Sequence, residues 1–176
     1  MTATIVDSLY GDFQDLIKNL DQTADLSLRN TAEDTFRKAL LLASASYFED
    51  KIISDLIYYF NETSSNNQIA TEFLKNKAIS RQYHTFFDWE KQNANSFFGL
   101  FGESFKNFMK DEVRKNADLN ESIKAFLELG NDRNRLIHGN YGNFSLEKTA
   151  NEIFISYQKA LLFVEIFPQK LRESQK

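Results

Sequence analysis

The sequence predicts an all-α fold built from long helices, and three observations carry that prediction. Proline occurs once and glycine six times in 176 residues. So few backbone breakers favour long helices over a many-stranded sheet. Apolar residues recur at helical spacing: Leu9, Phe13, Leu16, Ile17 and Leu20 form one stripe, and Ile153, Tyr157, Ala160, Leu161, Val164 and Phe167 another. No strand-helix alternation and no internal repeat at a period of about 20–50 residues is present. The length fits a single domain over residues 1–176. Seventeen phenylalanines predict a largely aromatic core.

Taken in order, a first helix is expected from about Ile5 to Leu20, then a polar loop from Asp21 to Asn30. A long, strongly apolar helix follows from about Thr31 to Asn61, with Thr31 and Asp34 as a capping pair. Such girth places it centrally or in a dimer interface. The polar run Asn61–Gln68 breaks it, and a shorter helix covers about Ile69 to Ile79. Tyr83 to Trp89 is dense in aromatics, and His84 is read as a structural histidine in that cluster rather than a second catalytic group. Asn93 to Gly102 forms a helix end and turn. The helix from about Glu103 to Asn116 carries Lys106, Lys110 and Arg114 in one basic stripe, read as a solvated face that can also contact phosphate. A further helix starts near Asn120, is interrupted at Gly130-Asn131-Asp132, and ends at Gly139-Asn140. The last helix begins at Ser145, with Thr149 and Glu152 offering a second cap pattern. Pro168 ends or kinks it, and the tail from Gln169 frays.

Several function classes are set aside. Cysteine is absent, so there is no disulfide framework, thiolate metal site or cysteine nucleophile. The two histidines lie far apart, there is no paired-histidine metal motif, and no metal or cofactor is expected. No signal peptide and no apolar stretch of about 20 residues is visible, so a cytoplasmic protein without membrane contact is expected. The net charge of −4 disfavours broad nonspecific nucleic-acid binding, so a polyanion must meet a local basic patch or a pocket shared between subunits.

Chemistry concentrates in Arg133-Asn134-Arg135-Leu136-Ile137-His138-Gly139-Asn140. On a helix turning about 100° per residue, Asn134 lies about 40° and Arg135 about 60° from His138, but Arg133 lies about 140° away. One helix cannot readily aim Arg133 and His138 at one atom; two copies facing across a twofold axis can, so a homodimer is expected. These residues suit cleavage of a ribose phosphodiester. A neutral imidazole takes the 2′-hydroxyl proton, and a protonated one supplies the leaving oxygen. An arginine forks onto phosphate oxygens and stabilises charge at phosphorus. Asn134 orients the imidazole or bonds the substrate. Arg135 is added as a phosphate contact and Asn140 as a second substrate contact.

Arg133-Asn134-x3-His138 followed by Gly139-Asn140, the apolar helix around Ala43 to Glu49, and the final helix after a short loop resemble the HEPN domains, in particular the RiboL-PSP-HEPN subgroup. The resemblance covers the long second helix and residues from about 120 to 167, leaving 62–118 as a possible insertion. It implies an up-and-down bundle of four to five long helices, usually dimeric. It matches Arg133 and His138 to a catalytic pair and Asn134 to the polar residue after the arginine. It further implies a metal-independent endoribonuclease acting on RNA in a toxin–antitoxin, phage-defence or RNA-processing setting, with an antitoxin or operon partner. The alternative is a catalytically silent HEPN module that dimerises and binds RNA, a nucleotide or a protein. Some toxin members carry a tyrosine two residues after the histidine; here Asn140 stands there and Tyr141 is one further on.

Overall fold

A computed structural model describes residues 3–23 and 25–175. Ala24 and Lys176, which fall in the expected loop and tail, lie outside the described residues. Among those described, every regular element is helical, as the sequence predicts. Five helices are long: α1 (Ile5–Thr23), α2 (Leu26–Thr63), α6 (Glu103–Lys115), α7 (Ala117–His138) and α8 (Ala150–Glu173). Three are short: α3 (Gln68–Leu74), which runs into a π-helical turn (Lys75–Ile79), α4 (Tyr83–Phe86) and α5 (Asn95–Gly99).

Local chemistry moves several expected boundaries. Thr4 and Asp7 cap α1 reciprocally: the Asp7 carboxylate accepts from Thr4 N and Oγ1 at 2.7 Å each, and Asp7 N donates to Thr4 Oγ1 at 3.2 Å. The expected loop from Asp21 to Asn30 is almost entirely helix. Asp25 accepts from Leu28 N at 2.9 Å and starts α2 six residues before Thr31. Thr31 is already inside the helix, its hydroxyl donating to the Ser27 carbonyl at 2.9 Å, and Asp34 pairs with Lys38 rather than capping. At the other end of α2, Ser65 and Asn66 take φ of 56° and 60° in the predicted polar turn. Asn67 then accepts from Ala70 N at 3.1 Å and opens α3.

The expected interruption at Gly130-Asn131-Asp132 does not occur; α7 is continuous to His138. A helical glycine costs only about 1 kcal/mol relative to alanine, which the buried neighbours Leu129 and Leu136 offset. The last helix starts at Ala150, not Ser145, because Thr149 and Glu152 form the cap: Thr149 N and Oγ1 each donate to Glu152 at 2.8 Å. Pro168 does not end α8. It removes one backbone donor, yet the helix runs on to Glu173, where Lys170 pairs with Glu112 at 2.8 Å and Arg172 with Glu62 at 2.8 Å. The tail that was expected to fray is therefore tied down through Arg172.

The chain divides into two compact parts. The first comprises residues up to Tyr47 together with Leu129–Gln158. Within it, the Phe13 and Phe36 rings stack at 3.7 Å and Tyr10 stacks on Phe154 at 4.0 Å, joining α1 to α2 and to α8. The Tyr157 hydroxyl donates to Thr4 Oγ1 at 2.7 Å. The second comprises Phe48–Glu128 and the residues from Lys159 on. Its core is the aromatic mass the composition predicts: Phe87 meets Phe97 at 4.4 Å and Phe126 at 4.9 Å, and Phe97 meets Phe167 at 4.8 Å. His84 is not packed in this mass. Its imidazole is exposed, and what it contributes is its backbone carbonyl, which accepts from Trp89 Nε1 at 2.9 Å.

Candidate functional site

The motif occupies the last turn and a half of α7, so the helical geometry assumed for residues 133–138 is the geometry present. Leu136, fully buried, anchors this turn from its inner side. Arg133 and Asn134 are half-buried, and Arg135, Ile137 and His138 are exposed. The alternation follows the helical period: one apolar side chain fixes the turn and the polar ones on its flanks reach solvent.

Arg133 Nη1 donates to Asn134 Oδ1 at 3.1 Å, which holds the guanidinium along the helix surface. Asn134 thus braces Arg133 and makes no bond to the imidazole. The His138 imidazole hydrogen-bonds no other described residue. Arg135 leans back to Asp132, 3.7 Å away, and its guanidinium lies 5.8 Å from the centre of the Phe144 ring. Asn140 is exposed, with its side-chain oxygen accepting from Gly142 N at 3.2 Å, so half of its amide shapes the turn after the helix. The structure therefore joins the side chains of Arg133 and Asn134 and leaves those of His138, Arg135 and Asn140 unbonded to that pair.

Gly139 ends the helix for a reason other than a left-handed backbone, since its φ is not in that region. A Cβ there would lie 2.9 Å from the Arg135 carbonyl oxygen and 3.3 Å from the Phe144 ring. Glycine is required by close approach.

Residues 139–149 are then pinned by side chains that the sequence does not single out. Lys38, only 4% exposed, donates to the Tyr141 carbonyl at 3.2 Å and pairs with Asp34 at 2.8 Å. Its ammonium also lies 5.3 Å from the centre of the Tyr141 ring. Arg37 Nη1 donates to the Leu146 carbonyl at 3.0 Å, and Lys148 pairs with Asp132 at 2.7 Å. The Lys38 hydrogen bond, helped by the charges of Lys38 and Arg37, holds the Asp34 carboxyl below the ordinary aspartate range, against a smaller opposing effect of burial. The i,i+4 spacing of Asp34 and Lys38 is legible in the sequence. The bond from Lys38 to a carbonyl 103 positions away is not.

Among the described residues, no three histidine, aspartate or glutamate side chains come together as metal ligands. Nor is any helix among them long and apolar enough to cross a membrane.

An all-helical chain with Arg-Asn-x3-His closing its penultimate long helix has the features of a HEPN domain. The model of the RiboL-PSP-HEPN family matches residues 7–173, and the chain belongs to that family. The matched range runs through residues 62–118, which the motifs quoted above do not reach. Neither a curated protein nor a solved structure matches the chain at the significance asked of a relative.

Proposed function

We propose that this HEPN domain is a metal-independent endoribonuclease that cleaves RNA by internal transesterification. The observation that carries the reading is the end of α7, which presents an exposed histidine whose imidazole bonds no other described residue, beside an arginine braced by its asparagine neighbour. A neutral His138 removes the 2′-hydroxyl proton, the 2′-oxygen attacks phosphorus, and the bond from phosphorus to the 5′-oxygen breaks. A protonated imidazole gives that oxygen its proton, so the products are a 2′,3′-cyclic phosphate and a 5′-hydroxyl. Arg133 stabilises the extra charge on the phosphoryl oxygens. Proton transfer and charge stabilisation are both supplied by side chains, so the scheme needs no metal.

Arg133 and His138 lie about 140° apart around the helix. Two copies placed face to face would bring the arginine of one toward the histidine of the other, and we take the working unit to be a homodimer. Arg135 and the free amide NH2 of Asn140 serve as additional substrate contacts. The cellular setting that fits is a toxin–antitoxin, phage-defence or RNA-processing system with an operon partner, in the cytoplasm.

The competing reading is a silent module that dimerises and binds RNA, a nucleotide or a protein. The net charge of −4 and the pull of Arg135 toward Asp132 favour it. Purified protein incubated with tRNA and mixed RNA in EDTA separates the two. The nuclease gives cyclic-phosphate ends, and His138→Ala and Arg133→Ala each lower cleavage by about 10²–10⁴-fold with the helical circular dichroism unchanged. Dilution to monomer removes activity. RNA binding without cleavage selects the silent module.

A further inference from the structure

The second part of the chain holds a concavity of about 240 Å³ between α6, the start of α7 and the turn before α5. Phe98 and Ile123 form its floor, and Asn95, Lys110, Arg114 and Asn120 its walls. Among the described residues no carboxylate lines it, although the chain as a whole is acidic. The cations of α6 differ in how they are answered. Lys106 pairs with Glu103 at 3.1 Å, Arg114 with Asp111 at 2.9 Å, and Lys115 reaches Glu112 at 4.0 Å. Lys110, half-buried, has no acidic partner among the described residues. A partly desolvated ammonium without a counter-ion attracts an anion more strongly than one in open water does. The side-chain amides of Asn95 and Asn120 likewise bond no other described residue. One unanswered positive charge and two unanswered amides therefore border an apolar floor.

The first part of the chain supplies a contrast. A cavity of similar size, about 230 Å³, is lined by Asn30, Glu33 and Arg37. Its arginine is engaged by Asp34 at 2.9 Å and by the Leu146 carbonyl at 3.0 Å, and Glu33 adds a carboxylate that repels an acid.

We propose that the cavity bounded by Lys110 and Asn120 binds a small monocarboxylic acid with an apolar body, of the size of phenylacetate. Each part of that ligand has a counterpart. A carboxylate offers two oxygens that only accept hydrogen bonds. The Lys110 ammonium supplies a charge-assisted donor, and the NH2 groups of Asn95 and Asn120 supply neutral ones. The one cation without an acidic partner balances a monoanion. A phosphate dianion would need Arg114 as well, and Asp111 already holds Arg114. The apolar body lies on Phe98 and Ile123, a contact that a free inorganic anion cannot make. At about 30 Å³ per water the space equals about eight waters, room for an acid of about ten non-hydrogen atoms and too little for a nucleotide. The site does not use Arg133, Asn134 or His138, so it stands whether or not the chain cleaves RNA.

The full chain is titrated against phenylacetate, benzoate and 4-methylpentanoate, followed by the NMR signals of the ligand. Phenylacetamide, acetate, inorganic phosphate and AMP are titrated separately. At least one of the three acids binds with a dissociation constant of about 1 mM or below. Phenylacetamide, which lacks the charge, and acetate, which lacks the apolar body, each bind about tenfold or more weakly than that acid. Lys110→Met weakens the acid about tenfold or more, with the helical circular dichroism unchanged. Asn120→Asp keeps the side-chain shape and adds a negative charge in the first turn of a helix, where the fold tolerates it, and it also weakens the acid. The proposal is overturned if none of the three acids binds, or if phenylacetamide, phosphate or AMP binds as well as they do. It is overturned equally if Lys110→Met and Asn120→Asp, both folded, bind the acid as wild type does.

Discussion

Residues 83–105 and residues 139–149 both lie outside the long helices for most of their length, and they are held in place by opposite means. The first stretch is fixed by rings. Tyr83, Phe86, Phe87, Phe97 and Phe98 are all buried, and Phe87 alone meets Trp89, Phe97 and Phe126 within 5 Å. The second has only Leu146 buried, and it is fixed instead by polar ties from its neighbours: Lys38 to Tyr141, Arg37 to Leu146 and Lys148 to Asp132. Ring burial is strong and non-directional. It suits a segment that presents nothing to solvent. The segment that follows the exposed His138 keeps its own polar groups outward, and its position is set by side chains reaching in from α2 and α7. Each such tie is worth about 1 kcal/mol, several times less than a buried ring.

The comparison predicts its own largest effect on stability. Phe126 is 1% exposed and meets Phe48, Phe87 and Phe163. Phe126→Ala should lower the unfolding free energy by about 3–5 kcal/mol, read from urea melts. A loss below about 1 kcal/mol would mean that the aromatic mass is not what holds the second part together.

Gly139→Ala should come next. The added methyl meets a helix carbonyl at 2.9 Å and the Phe144 ring at 3.3 Å, and a backbone oxygen cannot rotate away as a side chain can. The cost should be about 1–3 kcal/mol. If the variant melts within about 0.5 kcal/mol of wild type, close approach is not the reason for glycine at this position.

The sequence shows helices and the motif more readily than it shows what supports them. Periodicity places α2, α6 and α8, and the residue pattern at 133–138 places the candidate site on a helix end. The boundaries that depart from the sequence pattern have one origin: tertiary packing overrides local punctuation. Gly130 and Pro168 read as breaks, yet α7 and α8 run through them because buried faces on either side hold the turn. Asp25 reads as one polar residue among many, and only its bond to Leu28 N marks the start of α2. Lys38 reads as a surface lysine in an i,i+4 pair. Its burial depends on a loop that arrives some hundred residues later, and nothing local encodes that.

Thr149→Ala should cost about 1 kcal/mol, the worth of a helix cap. The Thr149 hydroxyl accepts from Glu152 N at 3.2 Å, while the Glu152 carboxylate accepts from Thr149 N and is held below the ordinary glutamate range chiefly by that backbone donor. Serine at the same position should restore the loss, since it keeps the hydroxyl. A fully stable alanine variant would show that residues 139–149 are positioned without the start of α8.

The smallest effect concerns Asp34, and it tests whether the polar ties are ionic. The Asp34 carboxyl titrates below its ordinary value because Lys38 donates to it. A depressed carboxylate contributes stability above its unfolded pKa of about 3.9 and loses it as pH falls through the folded value. Asp34 is 43% exposed on its side chain, so solvent screening holds the contribution under about 1 kcal/mol. Thermal melts of wild type and Asp34→Asn should therefore differ most near pH 7 and converge as pH drops below about 4. The asparagine keeps a hydrogen-bond acceptor for Lys38 but not the charge. If the gap between the two melts is the same at pH 3 as at pH 7, the tie from Lys38 acts as a neutral hydrogen bond. The contrast between the two stretches would then be one of burial alone.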